Sequence, residues 1–360
     1  MSQETPASAV RPTGARERGG TSLAGLVGIE LRRLWWRRLT KVALVVLVAF
    51  SGMRAISLYE QTSPSTVAQR VADYTSQVGE MRRQQDAMPA ADKAAALADC
   101  QRQQAAQQRD TPNDPLACDR MFALPSPEAF GIVNTAPGEL LRGLAQEGAL
   151  LSGFLAFLVG ASLVAAEFAS GSMSTWLTFQ PRRLRVATAK LAAAAAGGAV
   201  IGALGVGLAA AAVAFVTALN RPDSALQLPA APVVTADPLA LSLLRVVVAV
   251  ALGGLGGAAA AFLLRSTAGV MGAVLGYAVV VEGFVADAVA DGRLKPWLAS
   301  LNIESFLRNG AQYSTTACDA NGCQGTQLTQ SYTHGWVYLL ALSIVGVGAA
   351  LLAFQRRDVT

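Results

Sequence analysis

Side chains able to do chemistry are sparse in this chain, and their spacing argues against most kinds of catalytic centre. The single histidine, His334, rules out an H-E-x-x-H motif and a multi-histidine metal site. It stands at an expected span edge and reads as an interfacial residue rather than a base. No lysine follows a glycine, so the phosphate-cradling G-x-x-x-x-G-K-[ST] loop is absent, and no G-x-S-x-G elbow occurs. Cys100 and Cys118 are spaced C-x17-C, and Cys318 and Cys323 C-x4-C; neither fits a common zinc knuckle. Glu282, in the apolar stretch GYAVVVEGFVADAV, is an intramembrane polar candidate. An ionised group at a span centre costs about 2.5–3.5 kcal/mol and needs a buried partner or a polar cavity. No residue is assigned as catalytic, cofactor-binding or metal-ligating.

The densest polar constellation is EFASGSMSTWLTFQPRRLRVATAK, Glu167 to Lys190. It separates two apolar runs, Gly148 to Ala166 and Leu191 to Leu219, neither of which contains a charge. Glu167 closes the first run, Ser170 to Phe179 has helical length, Pro181 stops that helix, and Arg182, Arg183 and Arg185 lead into the second run. A short helix lying on a membrane surface with Trp176, Leu177 and Phe179 exposed offers an apolar knob to a soluble partner. The plain alternative is an interfacial turn with snorkelled arginines.

The elements that position this stretch are membrane spans. The chain is 52% hydrophobic and only 15% charged, with a mean hydropathy of +0.39, where a soluble domain carries about 25% charge. Stretches 39–59, 147–167, 187–219, 238–264, 268–290 and 334–354 each hold the roughly 20 apolar residues a spanning helix needs. Basic blocks flank them at Arg32 to Lys41, at Arg182 to Lys190, at Arg265, and at Arg356 and Arg357. The positive-inside rule makes all of these cytoplasmic. The expected fold is therefore an all-α integral membrane protein with six transmembrane helices, both termini inside, and an external helical insertion between spans one and two. Uneven charge beside apolar runs favours a lipid bilayer over nucleic acid as partner. Gly198/Gly202, Gly253/Gly257 and Gly272/Gly276 have the small-xxx-small spacing that lets helices approach closely. Arg54 and Arg245 lie near outer span ends and are expected to snorkel.

Outside the spans, residues 1–20 read as a disordered cytoplasmic tail and 355–360 as a short second one. Residues 21–38 read as an amphipathic interfacial helix, with Ser22 as its cap and Trp35 and Trp36 at the headgroups. The alternative is a simple extension of span one. Residues 60–146 form an external helical domain, a helical hairpin broken near Met88-Pro89 and followed by proline-rich loop. Residues 168–186 are the cytoplasmic hairpin, and 291–333 an external segment with a short interfacial helix and then a polar loop around CDANGC. All four cysteines fall in the two external segments. Oxidising surroundings then suggest two disulfides, most simply Cys100–Cys118 and Cys318–Cys323, with three connectivities open.

The stretch Glu167-Phe168, Ser170-Gly171-Ser172, Leu177-Thr178, Pro181-Arg182-Arg183 and Lys190 resembles the type-2 (ABC-2) permease subunits of ABC transporters, particularly those of high-GC Gram-positive bacteria. The six-span plan, the lead-in helix, the cysteine-bearing first external segment and Pro296-Trp297 extend the likeness over most of the chain. The resemblance implies a non-enzymatic transport subunit of the bacterial plasma membrane. Its hairpin would be the coupling helix, with Glu167, Phe168, Gly171, Trp176, Leu177, Pro181, Arg182 and Arg183 as ATPase-coupling residues. It also implies two copies of a separate ABC ATPase that carry the ATP and Mg, no cofactor in this chain, and a second permease subunit. That subunit is taken as a second copy of the chain, with a different subunit as the alternative. The competing readings are a membrane-anchored sensor or assembly factor with an external protein-binding domain, and a secondary transporter using Glu282.

Overall fold

The computed structural model describes residues 22–110, 118–179, 182–220, 237–285, 293–319 and 322–356; the expected tail 1–20 and residues 357–360 lie outside them, while Gln355 and Arg356 belong to the last helix. Ser22 caps the first helix, α1 (Leu23–Trp36), its Oγ accepting from Gly25 N at 3.2 Å. Arg37 is extended (φ −70°, ψ 139°) and breaks the helix before α2 (Arg38–Thr62). The lead-in helix is therefore an element of its own and not an extension of span one. Thr40 stitches the break by donating to the Leu34 carbonyl at 2.7 Å.

Beyond α2 stand α3 (Pro64–Ala87) and α4 (Ala90–Asp110), separated at Met88-Pro89 as the sequence suggests. They do not pack along their lengths as a closed hairpin would, and no residue of α3 is fully buried. Tyr74 instead packs edge-on against Phe130 and donates to the Pro125 carbonyl. A disulfide joins Cys100 of α4 to Cys118, with Cα atoms 5.8 Å apart.

The bundle proper is built from α5 (Pro137–Ala169), α7 (Arg183–Leu219) and α8 (Leu239–Leu264), with the short α6 (Ser172–Phe179) between the first two. Its helices touch through glycine. A Cβ at Gly257 of α8 would lie 1.9 Å from the Phe157 carbonyl oxygen of α5, and one at Gly254 would lie 2.5 Å from the Ala194 oxygen of α7. Helix α8 is thus wedged between its neighbours at backbone contact, the geometry that small residues permit in lipid. Gly198 and Gly202 make similar approaches, whereas Gly272 and Gly276 meet nothing within 4 Å.

Arg265, in the left-handed region (φ 54°), and Ser266, whose Oγ accepts from Gly269 N, turn the chain tightly into α9 (Thr267–Gly276). Its last turns, Tyr277–Val285, are π-helical. A short helix α10 (Ala299–Arg308) precedes the last helix, α11 (Tyr332–Arg356). Between them the structure departs from the expected polar loop: β1 (Ala311–Asp319) and β2 (Gly322–Gln330) form an antiparallel hairpin. The threonine-rich flanks are the physical reason, and Thr315 and Thr326 hydrogen-bond across the strands at 2.8 Å.

Helices α2, α5, α7, α8, α9 with its π turn (Thr267–Phe284), and α11 are long and apolar enough to cross a membrane. The protein is an all-α multi-pass membrane protein with this one small hairpin appended. Contacts alternate the spans. Phe168, Phe262 and Phe354 meet at the arginine-bearing end, while Asn220 reaches the Tyr59 carbonyl at the cysteine-bearing end.

Backbone contact at Gly257 predicts that Gly257→Ala lowers unfolding stability by about 1–3 kcal/mol. Gly272→Ala should be neutral or slightly stabilising, since alanine favours the helix. Denaturant titration in mixed micelles checks both.

Candidate functional site

The residue that organises the arginine-bearing end is Lys190. Its side chain is fully buried and donates to Glu30 Oε1 at 2.9 Å and to Glu167 Oε1 at 2.8 Å. Glu30 comes from α1, Glu167 from the last turn of α5, and Lys190 from the second turn of α7, so one ammonium joins the lead-in helix to both legs of the hairpin. Arg33 stands 3.8 Å from Glu167 and 3.9 Å from Glu30, and Arg37 stands 3.7 Å from Glu167. The second oxygens of both carboxylates are buried without a hydrogen-bond partner, so their bonding converges on these cations. Arg37 also donates to the Ser162 and Leu163 carbonyls of α5, at 2.6 and 3.3 Å. Burial lowers its pKa from the ordinary value, while the Glu167 and Glu30 carboxylates pull it back up.

The neighbouring Phe168 faces the other way. Its ring sits 6.1 Å from Phe262 of α8 and 6.2 Å from Phe354 of α11, with those two 5.1 Å apart, all edge to face. The Arg265 guanidinium lies 5.4 Å above the Phe168 ring. Two consecutive residues at the end of α5 therefore grip α1 and α7 on one side and α8 and α11 on the other.

The turn below is short. Gly171 takes the left-handed conformation (φ 67°), for which glycine carries no steric penalty, and Ser174 Oγ caps back onto the Gly171 carbonyl at 2.7 Å. Met173 is fully buried in the bundle and anchors α6, while Ser174, Thr175 and Thr178 face outward. The α6 helix begins at Ser172 rather than at the expected Ser170. Arg182 is exposed and precedes α7 without a side-chain capping bond, and Arg183 is half-buried. The side chains of Trp176, Leu177 and Phe179, and the whole of Pro181, lie outside the described residues.

A second charged group occupies the opposite end. Arg142 of α5 donates to Ser242 Oγ at 2.5 Å and to the Asp237 carbonyl at 2.9 Å. Arg245 pairs with Asp237 at 2.7 Å under the Tyr332 ring. Arg245 is only 6% exposed, which corrects the expectation that it snorkels; an acceptor and an aromatic face within reach hold it inside. Arg54 likewise pairs with Glu147. Glu282 is half-exposed and accepts from Ser300 N at 3.0 Å, while the Tyr277 hydroxyl accepts from Ala299 N at 3.0 Å. The π winding brings these residues, five apart, onto one face, where they cap the N-terminus of α10. Glu282 is thus held by a backbone donor near the end of its span. His334 packs edge-on against Trp297, 5.5 Å away. Cys318 and Cys323 are directly paired in the β register; their side chains lie outside the described residues. No group of acidic, histidine or cysteine residues suited to a metal occurs among the described residues.

The sequence singles out Glu167 and places Lys190 as a basic flank and the last residue of the family-like stretch, but gives Glu30 no role. The signal was present. Glu30 sits four residues after Leu26 and four before Leu34, on the buried stripe of α1, where an acid needs a buried cation. Removing that cation should be costly. Lys190→Met is expected to destabilise the protein by about 3–5 kcal/mol. The neutral combination Lys190→Met with Glu30→Gln and Glu167→Gln should recover much of the loss, as read by unfolding in micelles.

The family model described as ABC-2 family transporter protein matches residues 26–359, from within α1 to beyond the end of α11. No curated protein matches the chain. With spans, lead-in helix and hairpin arranged as above, the chain belongs to the ABC-2 transporter family and is the membrane permease component of an ABC transporter.

Proposed function

We propose that the protein is an export permease whose α6 hairpin docks against a separate ABC ATPase, and that two ATPase copies carrying ATP and Mg drive a pair of permease subunits. The observation that carries this reading is the junction at the end of α5. Glu167 ties the hairpin legs to α1 through Lys190, and Phe168 ties them to α8 and α11. A push on α6 is therefore delivered to most of the bundle at once. The energy enters as a difference in the ATPase's affinity for two permease states.

Sidedness follows from charge and redox chemistry. Arginines cluster at the hairpin end, which favours the cytoplasm for both termini. The Cys100–Cys118 disulfide stands at the other end, which favours an oxidising exterior. The exposed residues of α6 and Arg182 are placed to meet the ATPase, together with Trp176, Leu177, Pro181 and Arg183 from the family likeness. Glu167, Phe168 and Gly171 position the hairpin from behind. Inside the single chain, the void bordered by Leu47, Phe50, Arg54 and Gly205 holds only about 20 Å³, enough for a water molecule. The solute path is taken to run between two subunits, most simply two copies of this chain.

Trp176→Ala should weaken capture of the ATPase by about tenfold or more. Glu167→Gln should leave capture intact but lower substrate export per ATP hydrolysed, with both variants still inserting in the membrane. Export unchanged in both variants contradicts the proposal. A cysteine placed at Ser174 should react with a membrane-impermeant maleimide only from the cytoplasmic side, and labelling from outside contradicts the topology.

A further inference from the structure

The spans end, at the side away from the hairpin, around a cavity of about 490 Å³, within the range of small-molecule sites. It is bounded by the last turn of α2, the first turns of α3, the Gly131–Thr135 segment, the start of α5 and the end of α7. Its walls are graded. Leu58, Leu140 and Val216, from the three spans, and Ile132 make an apolar floor, while Asn134, Thr135 and Arg70 lie where the chain leaves the spans. Among the described residues, Arg70 is the only charged one in the lining. One guanidinium nitrogen donates to the Gln61 carbonyl at 2.9 Å, which holds the group at the rim. The rim is held in place: Asn220 donates to the Tyr59 carbonyl at 2.8 Å and to Thr62 Oγ1 at 2.9 Å, tying α7 to α2.

We propose that this cavity binds an amphiphile with a single anionic headgroup, its chain against the apolar floor and its carboxylate or phosphate on Arg70. Three features select that class. The floor is apolar, the rim carries hydroxyl and amide side chains at the ends of α2 and α7, and the one charge in the described lining is a guanidinium, whose planar fork matches both anions. A neutral apolar compound would leave Arg70 unanswered, and a cation would face it with no acid in the described lining. The assignment concerns binding and does not depend on the direction of transport or on the ATPase.

The test uses the full chain in phosphatidylcholine nanodiscs, titrated with lysophosphatidylglycerol, lysophosphatidylcholine and laurate by native mass spectrometry. At least one of the two anionic probes should bind saturably and about tenfold more tightly than the zwitterionic one. Whether phosphate or carboxylate wins identifies the headgroup. Arg70→Gln should erase that preference and Arg70→Lys should keep it. Leu140→Trp, or Val216→Trp if that variant fails to fold, should weaken all binding by filling the floor. Equal affinity for lysophosphatidylcholine, or a preference that survives Arg70→Gln, overturns the proposal.

Discussion

Burying an ammonium away from water costs several kcal/mol unless carboxylates meet it at close range, and that requirement shapes the arginine-bearing end of this protein. Lys190 has no exposed surface and two carboxylate partners within 2.9 Å. To satisfy it, α1 must lie across α7, and α5 must end at the same height. Once those positions are set, Arg37 reaches the α5 carbonyls, the chain bends there into span one, and α6 has only Gly171 to turn through. A buried ion group of this kind contributes little net stability compared with an apolar replacement. Its value lies in fixing one arrangement of three elements, since any slip strands a charge.

The remainder of the bundle divides by how closely its helices touch. The α5, α7 and α8 helices meet at glycine with backbone against backbone, and such close-packed contacts do not deform gradually. By contrast, α2 and the α9 span expose most of their apolar surface, Val45, Met53 and Ile56 on one and Val279, Val280 and Phe284 on the other. These faces meet lipid or a second subunit. A block of three tight helices with loosely attached outer spans is suited to rigid-body movement, the block transmitting force and the outer spans changing neighbours.

Much of this was legible in the sequence because apolar run length and basic flanks report spans directly. The break at Met88-Pro89 and the Arg265 turn follow from local chemistry alone, and the Cys100–Cys118 pair was the simplest of three connectivities left open. What escaped was pairing over long distance. Glu30 and Lys190 are 160 residues apart, and Arg142 and Ser242 are 100 apart, so no local pattern announces that they meet. Arg245 was misread for the same reason, since its partner Asp237 is near in sequence but the Tyr332 ring that covers it is not. The β hairpin was passed over although its threonine-rich flanks were visible, because the surrounding composition read as helix and loop. For the candidate site, the position of the hairpin could be read from the chain, whereas its support from behind could not.

The central claim is that Lys190 makes the lead-in helix and the hairpin move as one body. Spin labels at Leu23 and Ser174, both exposed, test it by pulsed dipolar spectroscopy on the permease bound to its ATPase. The distance between them should stay narrow and unchanged between the nucleotide-free and ATP-bound states, and should broaden in Lys190→Met. A distance that shifts with nucleotide in the native protein, or stays equally narrow without Lys190, would contradict it.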